Sequence, residues 1–239
     1  MEAQRLLQYG TTTLAYELTF AERKTLGVRV NPEGEIKVIA PEGTELAAIE
    51  EKLMSKAAWI RKQRDFFLSF QPRRSERRYV SGETHLYLGK QYRLKVHKVD
   101  WDIDEGVRLE RGYFHLRTID PEDRERSEKL MKRFYEAYAS LRFPAFLKAR
   151  LPTARNFYDG PVKLKMKWLT NRWGMCRRSG TITLNYELIK APPECIEYVI
   201  VHELCHLGEF NHRKAFYNLL EKEWPEWEIV KDRLERILS

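Results

Sequence analysis

Apolar and polar positions alternate early in the chain. Residues 12–20 read as a strand. Residues 26–40 read as a hairpin: Val28 and Val30 alternate, Asn31 to Gly34 turns, and Ile36 to Ala40 returns. Pro41 to Thr44 closes it. Leu46, Ile49, Leu53 and Ala57 then recur at helical spacing, and Trp59, Ile60, Phe66 and Phe67 continue that helix. Core packing is the expected work of its aromatic residues. After a polar stretch, Gln71 to Arg78, short strands are predicted near 85–88, 91–99, 107–111 and 113–117, with Gly89-Lys90 and Arg111-Gly112 as turns.

Asp120-Pro121 reads as a helix start, since Asp caps and Pro fits the first helical position. Leu130, Phe134, Ala137, Tyr138 and Leu141 form a helical stripe that Pro144 is expected to end or kink. A loop over 156–161 leads to the alternating segment Val162 to Leu169, with Leu164, Met166 and Trp168 on one face and Lys163, Lys165 and Lys167 on the other. Arg172-Trp173-Gly174 reads as a turn and Ile182 to Asn185 as a short strand. Pro192-Pro193 opens a helix to about Leu207, with Gly208 as terminator. Further helices follow near 213–224 and 226–238. The class is α+β: a strand-rich region, 1–118, precedes a mainly helical one with a small sheet, 119–239.

Composition narrows the picture. The 239 residues are 43% hydrophobic, enough for a sizeable core, and three cysteines make no disulfide framework. Neither a signal peptide nor a membrane span is legible, so a cytoplasmic protein is expected. Forty-three basic residues against 35 acidic ones leave a net charge of +8. Its distribution matters more. From Gly160 to Tyr186 there is no acidic residue, whereas Lys163, Lys165, Lys167, Arg172, Arg177 and Arg178 fall there. The mixed cluster Arg73, Arg74, Glu76, Arg77 and Arg78 sits in an apparent linker and reads as a solvated loop.

The chemistry concentrates at His202-Glu203-Leu204-Cys205-His206. Histidines four apart on a helix point the same way, so both imidazoles can reach one ion. Glu203 is offset by about 100°. That sets it beside the ion, where it can hold and deprotonate water as general base. This is the HExxH zinc pattern, which chance places in such a composition roughly once in sixty chains. His212, beyond Gly208, is the candidate third ligand, and three protein ligands suit a catalytic rather than a closed structural zinc site. The apolar segment Ile196 to Val201 suits a helix buried beneath such a site. His85, His97 and His115 lack partner spacing and read as ordinary residues. Cys195 and Cys205 read as packing residues, and Cys176 as a packed or turn-forming thiol.

Arg172-Trp173-Gly174-Met175-Cys176, Ile182-Thr183-Leu184-Asn185, Ala191-Pro192-Pro193, Ile196 through Leu207, Asn211-His212 and Phe216 together resemble the YgjP-like metallopeptidases, a zincin group related to the SprT-like and WLM proteins. The 26–40 hairpin and Ala58-Trp59-Ile60 are also similar to that family. Arg213 stands where the family usually has Ser, and Tyr217 where it often has Trp. The resemblance implies zinc on His202, His206 and His212 with Glu203 as acid/base, although nickel, cobalt or manganese can occupy imidazole sites in vitro. Arg172, Trp173, Asn185, Asn211 and Arg213 are the candidate substrate-binding residues. A peptide substrate is expected, lying as an added strand along Ile182 to Asn185. The basic segment keeps two alternatives open: hydrolysis of nucleoside triphosphates, and a DNA-associated protease that binds nucleic acid through 160–186.

Overall fold

The structure, a computed structural model, describes residues 3–31, 34–68 and 77–238. It is α+β and divides into two compact units, Met1–Arg74 and Ser75–Ser239.

The first unit is a four-stranded sheet and one helix. Strands β1 (Ala3–Tyr9), β2 (Thr12–Ala21), β3 (Gly27–Val30) and β4 (Ile36–Pro41) lie in the order β1-β2-β4-β3, with β2 and β4 parallel and the other pairs antiparallel. The predicted hairpin is β3–β4. β1 is an addition to the sequence reading, joined to β2 by the turn at Gly10, which has the positive φ that glycine tolerates. Helix α1 (Leu46–Leu68) buries Ile49, Leu53, Ala57 and Ile60 with the sheet's Leu14, Leu18 and Val38. Trp59 is one residue off that stripe, about 100° around the helix, and is 49% exposed rather than packed in the core. The side chains of Phe66 and Phe67 lie outside the described residues, as do Arg73, Arg74 and Glu76 of the basic cluster.

The second unit begins with β5 (Thr84–Tyr87), β6 (Lys90–Lys98), β7 (Gly106–Glu110) and β8 (Tyr113–Thr118), in the order β5-β6-β8-β7. β6 and β8 run parallel, and the remaining pairs are antiparallel. Leu94, Phe114 and Leu116 on its inner face share one core with Phe134 and Phe143 of helix α2 (Arg124–Ala154) and with Ile196 and Ile200. That shared core is why the units divide at 74–75 and not near 119: the second sheet belongs with the helices.

Helix α2 departs from its reading at two points. Its cap is Asp123, which accepts from the Arg126 amide at 2.9 Å, whereas Asp120 closes a turn by accepting from Glu122. Nor does Pro144 end it, since both Pro144 and Pro152 lie inside. Each proline deletes one backbone hydrogen bond. Burial of Phe143, Leu147 and Ala154 along one face keeps the helix continuous.

A three-stranded sheet follows: β9 (Lys163–Lys167), β10 (Gly174–Cys176) and β11 (Thr181–Asn185), in the order β10-β11-β9. β11 is its middle strand, so Ile182 to Asn185 is not the edge that the sequence reading assigned; β10 is, and Gly174 opens that strand rather than completing a turn. After a 3-10 turn over Tyr186–Lys190 come helices α3 (Pro193–Cys205), α4 (Lys214–Glu223) and α5 (Trp227–Leu238). α3 is buried on nearly every side, and Arg150 of α2 holds it by donating to Glu197 at 2.6 Å.

Candidate metal centre

Buried α3 presents His202 and Glu203 in its last turn, with His206 as the C-terminal cap. The backbone leaves the helix through Leu207 to Leu204 and Glu209 to Cys205 hydrogen bonds. Gly208 has no positive φ; a Cβ there would stand 3.0 Å from the Phe157 ring, so glycine serves close packing and not a left-handed terminator. The turn returns His212 to the helix. One ligand atom each from His202, His206 and His212 lies within 4.8 Å of the others, and the Nε2 atoms of His202 and His212 are 3.1 Å apart.

The rings are held from behind. Phe216 of α4, fully buried, stacks on His206 at 4.5 Å and meets His202 and His212 edge-on at 5.0 and 4.7 Å. His206 Nδ1 lies 3.1 Å from the Glu209 carbonyl, which can only accept, so Nδ1 carries the proton and Nε2 keeps its lone pair. Burial and the neighbouring imidazoles lower the His202 pKa to about 3, and burial lowers that of His206. Burial thus favours the neutral form of His202 and His206, the form in which an imidazole nitrogen can ligate a divalent metal. His202 Nδ1 is buried without a partner.

Glu203 is 4% exposed. Burial pushes its carboxyl up to about 8, with the Arg172 charge opposing, and Oε2 is buried without a hydrogen-bond partner. Gly174 makes room for it: a Cβ there would stand 2.6 Å from Oε1. Glu203 and the three histidines border a cavity of about 480 Å³ together with Arg172, Trp173 and all of β10. Cys176 lines it as a half-buried thiol pushed up to about 12, chiefly by burial and further by the Glu203 charge, which leaves it no thiolate character.

Of the candidate substrate residues, Arg172 and Trp173 line the cavity, and Asn185, Asn211 and Arg213 do not. Asn185 is 2% exposed and works as a clamp. Its amide donates to the carbonyls of Leu169 and Arg172 at 2.8 and 3.1 Å, and its oxygen accepts from the Leu169 and Glu187 amides. It fixes the loop that carries Arg172 and Trp173. Lys163, Lys165 and Lys167 also stand outside the cavity lining. The sequence reading missed Tyr198 and Val199, one turn before His202, and the α5 residues Lys231, Leu234 and Glu235. Helical spacing carried a signal for the first two; nothing in spacing places α5 against the cavity. Lys231 reaches both carboxylate oxygens of Glu235, at 2.9 and 3.0 Å.

The family model described as YgjP-like, metallopeptidase domain, matches residues 24–237. Among solved structures, the chain is similar to a metallopeptidase zymogen, abylysin of Pyrococcus abyssi, at 27% identity over 38% of this chain and 90% of that one, with a TM-score of 0.35. No curated protein matches the chain.

Proposed function

The chain belongs to the YgjP-like metallopeptidase family, and on that premise we propose that it is a zinc peptidase whose metal is held by His202, His206 and His212 and whose general base is Glu203. The observation that carries this reading is the convergence of three imidazoles beside an unpartnered buried carboxylate at one cavity. The donors fit zinc: two imidazole nitrogens on a tetrahedral ion stand about 3.3 Å apart. His202 and His212 already face each other at 3.1 Å. Bound zinc supplies Lewis-acid polarisation of a peptide carbonyl and eases deprotonation of water.

The chain's own residues do the rest. Glu203 Oε2 takes the proton of the attacking water and delivers it to the leaving amine nitrogen. Its burial removes competing solvent, and the space at Gly174 leaves room for the carboxylate at the cavity that the histidines border. The substrate chain pairs with β10, whose strand partner among the described residues is β11 and whose three residues all line the cavity. Arg172 and Trp173, fixed by the Asn185 clamp, orient that chain.

The test compares metal content and cleavage of an unstructured protein by wild type, Glu203→Gln and His212→Ala. Glu203→Gln should keep one equivalent of zinc and lose about 10²–10⁴-fold in kcat. His212→Ala should lose tight metal binding. Near-full turnover by Glu203→Gln would refute the base assignment, and unchanged zinc affinity in His212→Ala would refute the third ligand.

A further inference from the structure

The outer face of the second sheet carries a pattern that the metal centre does not use. Along β6, Arg93, Lys95 and His97 are exposed, while Leu94 between them is buried. The parallel register sets Arg93 beside Tyr113, Lys95 beside His115 and His97 beside Arg117. On the other flank of β8, Arg108 stands beside His115 and Glu110 beside Tyr113. Buried Phe114, Leu116 and Thr118 alternate with these positions, so Tyr113, His115 and Arg117 point away from the core.

Three rings thus lie in a row across two strands. His97 and His115 stack at 5.3 Å with their planes 12° apart, and Tyr113 meets His115 at 6.4 Å. Cations border the row on both sides: Arg93 and Lys95 on β6, Arg108 on β7, and Arg117 within β8. The acidic neighbours are Glu110 at the β7 margin and Asp104, 3.9 Å from Arg117. His97 Nε2 and His115 Nδ1 approach to 3.0 Å, but four surrounding cations oppose a divalent metal there and suit an anion.

We propose that this face binds single-stranded nucleic acid, with bases stacked on the Tyr113–His115–His97 row and phosphates on Arg93, Lys95, Arg108 and Arg117. Planar rings bordered by cations meet both demands of an unpaired strand, a π-surface for bases at the faces the row does not itself use and a charge for each phosphate. Duplex DNA offers only the second. Lys95 now caps the Tyr113 ring at 3.8 Å, and its flexible stem lets the ammonium exchange the ring for a phosphate when a base arrives. None of these residues lines the cavity at His202, so the face can be occupied together with the metal centre.

Fluorescence anisotropy of a labelled oligothymidylate with the full chain tests this. Four phosphate contacts predict a slope of about −3 in log K against log salt. Replacing Arg93, Lys95, Arg108 and Arg117 together by Gln should abolish measurable binding at moderate salt. The same loss of charge on α1, at the exposed Lys52, Lys56, Arg61 and Lys62, should change affinity less than threefold. Tyr113→Leu should weaken binding about tenfold without changing the salt slope. Thermal melts confirm that each variant is folded. No binding at low salt, equal losses in the two four-residue variants, an unaffected Tyr113→Leu, or equal affinity for duplex and single strand would each overturn the proposal.

Discussion

Gly174 and Glu203 show how much one missing carbon can decide. The glycine has an ordinary backbone conformation, so its role is space rather than φ. Gly174→Ala puts a methyl group inside contact distance of the Glu203 carboxylate and must turn it off its line. We expect kcat to fall at least tenfold with zinc content unchanged, because none of the three histidines is touched. A wild-type kcat with full metal would show that the carboxylate has slack. His85 gives a residue-scale effect on stability. It is 4% exposed, stacked on Tyr79 and edge-on to Phe114. Burial, with Arg77 and Lys190 nearby, lowers its pKa to about 4, only partly offset by Glu83. Between about pH 6.5 and 4 the unfolded chain therefore binds more protons than the folded one, so stability rises with pH across that window. The contribution is on the order of 3 kcal/mol, lost as pH falls toward 4. Urea unfolding from pH 7 to 4.5 should show wild type losing stability faster than His85→Phe, and parallel profiles would remove His85 as the cause.

At the scale of elements, local rules succeeded where local contacts decide. The β3–β4 hairpin, the stripe of α1, the alternation of β9 and the HExxH helix were all legible, because each depends on neighbours a few residues away. Long-range contacts account for the failures. Pro144 reads as an end or a kink, and the burial of Phe143 and Leu147 outweighs one lost hydrogen bond to carry the helix past it. Ile182 to Asn185 reads as an edge until β9 and β10 pair on either side. His97 and His115, eighteen residues apart, become partners only through a parallel pairing that spacing cannot announce. In the candidate site, the convergence of the three histidines was legible from a helical period and one turn. Asn185 was singled out for the wrong job, since an amide that clamps a loop and one that meets substrate look alike in sequence. Leu234 and Lys231 were invisible because they lie on α5, nineteen or more residues beyond the last of the three histidines.

At the scale of the molecule, two cores share no residue among the described ones: one around Leu14, Val38 and Leu53, the other running from Tyr87 to Leu234. The candidate metal centre, His202, His206 and His212 with Glu203, lies wholly in the second unit. If zinc is held there as proposed, removing it should lower the unfolding temperature of the second unit, by linkage to the bound metal. A chelator that left that temperature unchanged would refute the site. Among the described residues, no helix is long and apolar enough to cross a membrane.

The acid-free stretch gains a different meaning from its place in the third sheet. A protein that recognises extended chains by lending them a strand edge risks recruiting its own copies in the same way. Of the two edges of this sheet, β10 lies along the cavity wall, while β9 has an open side and carries Lys163, Lys165 and Lys167. Lysines on an edge strand repel an approaching identical strand and keep the ladder from growing outward into aggregates. The basic run thus guards the sheet edge that lies away from the cavity against strand addition.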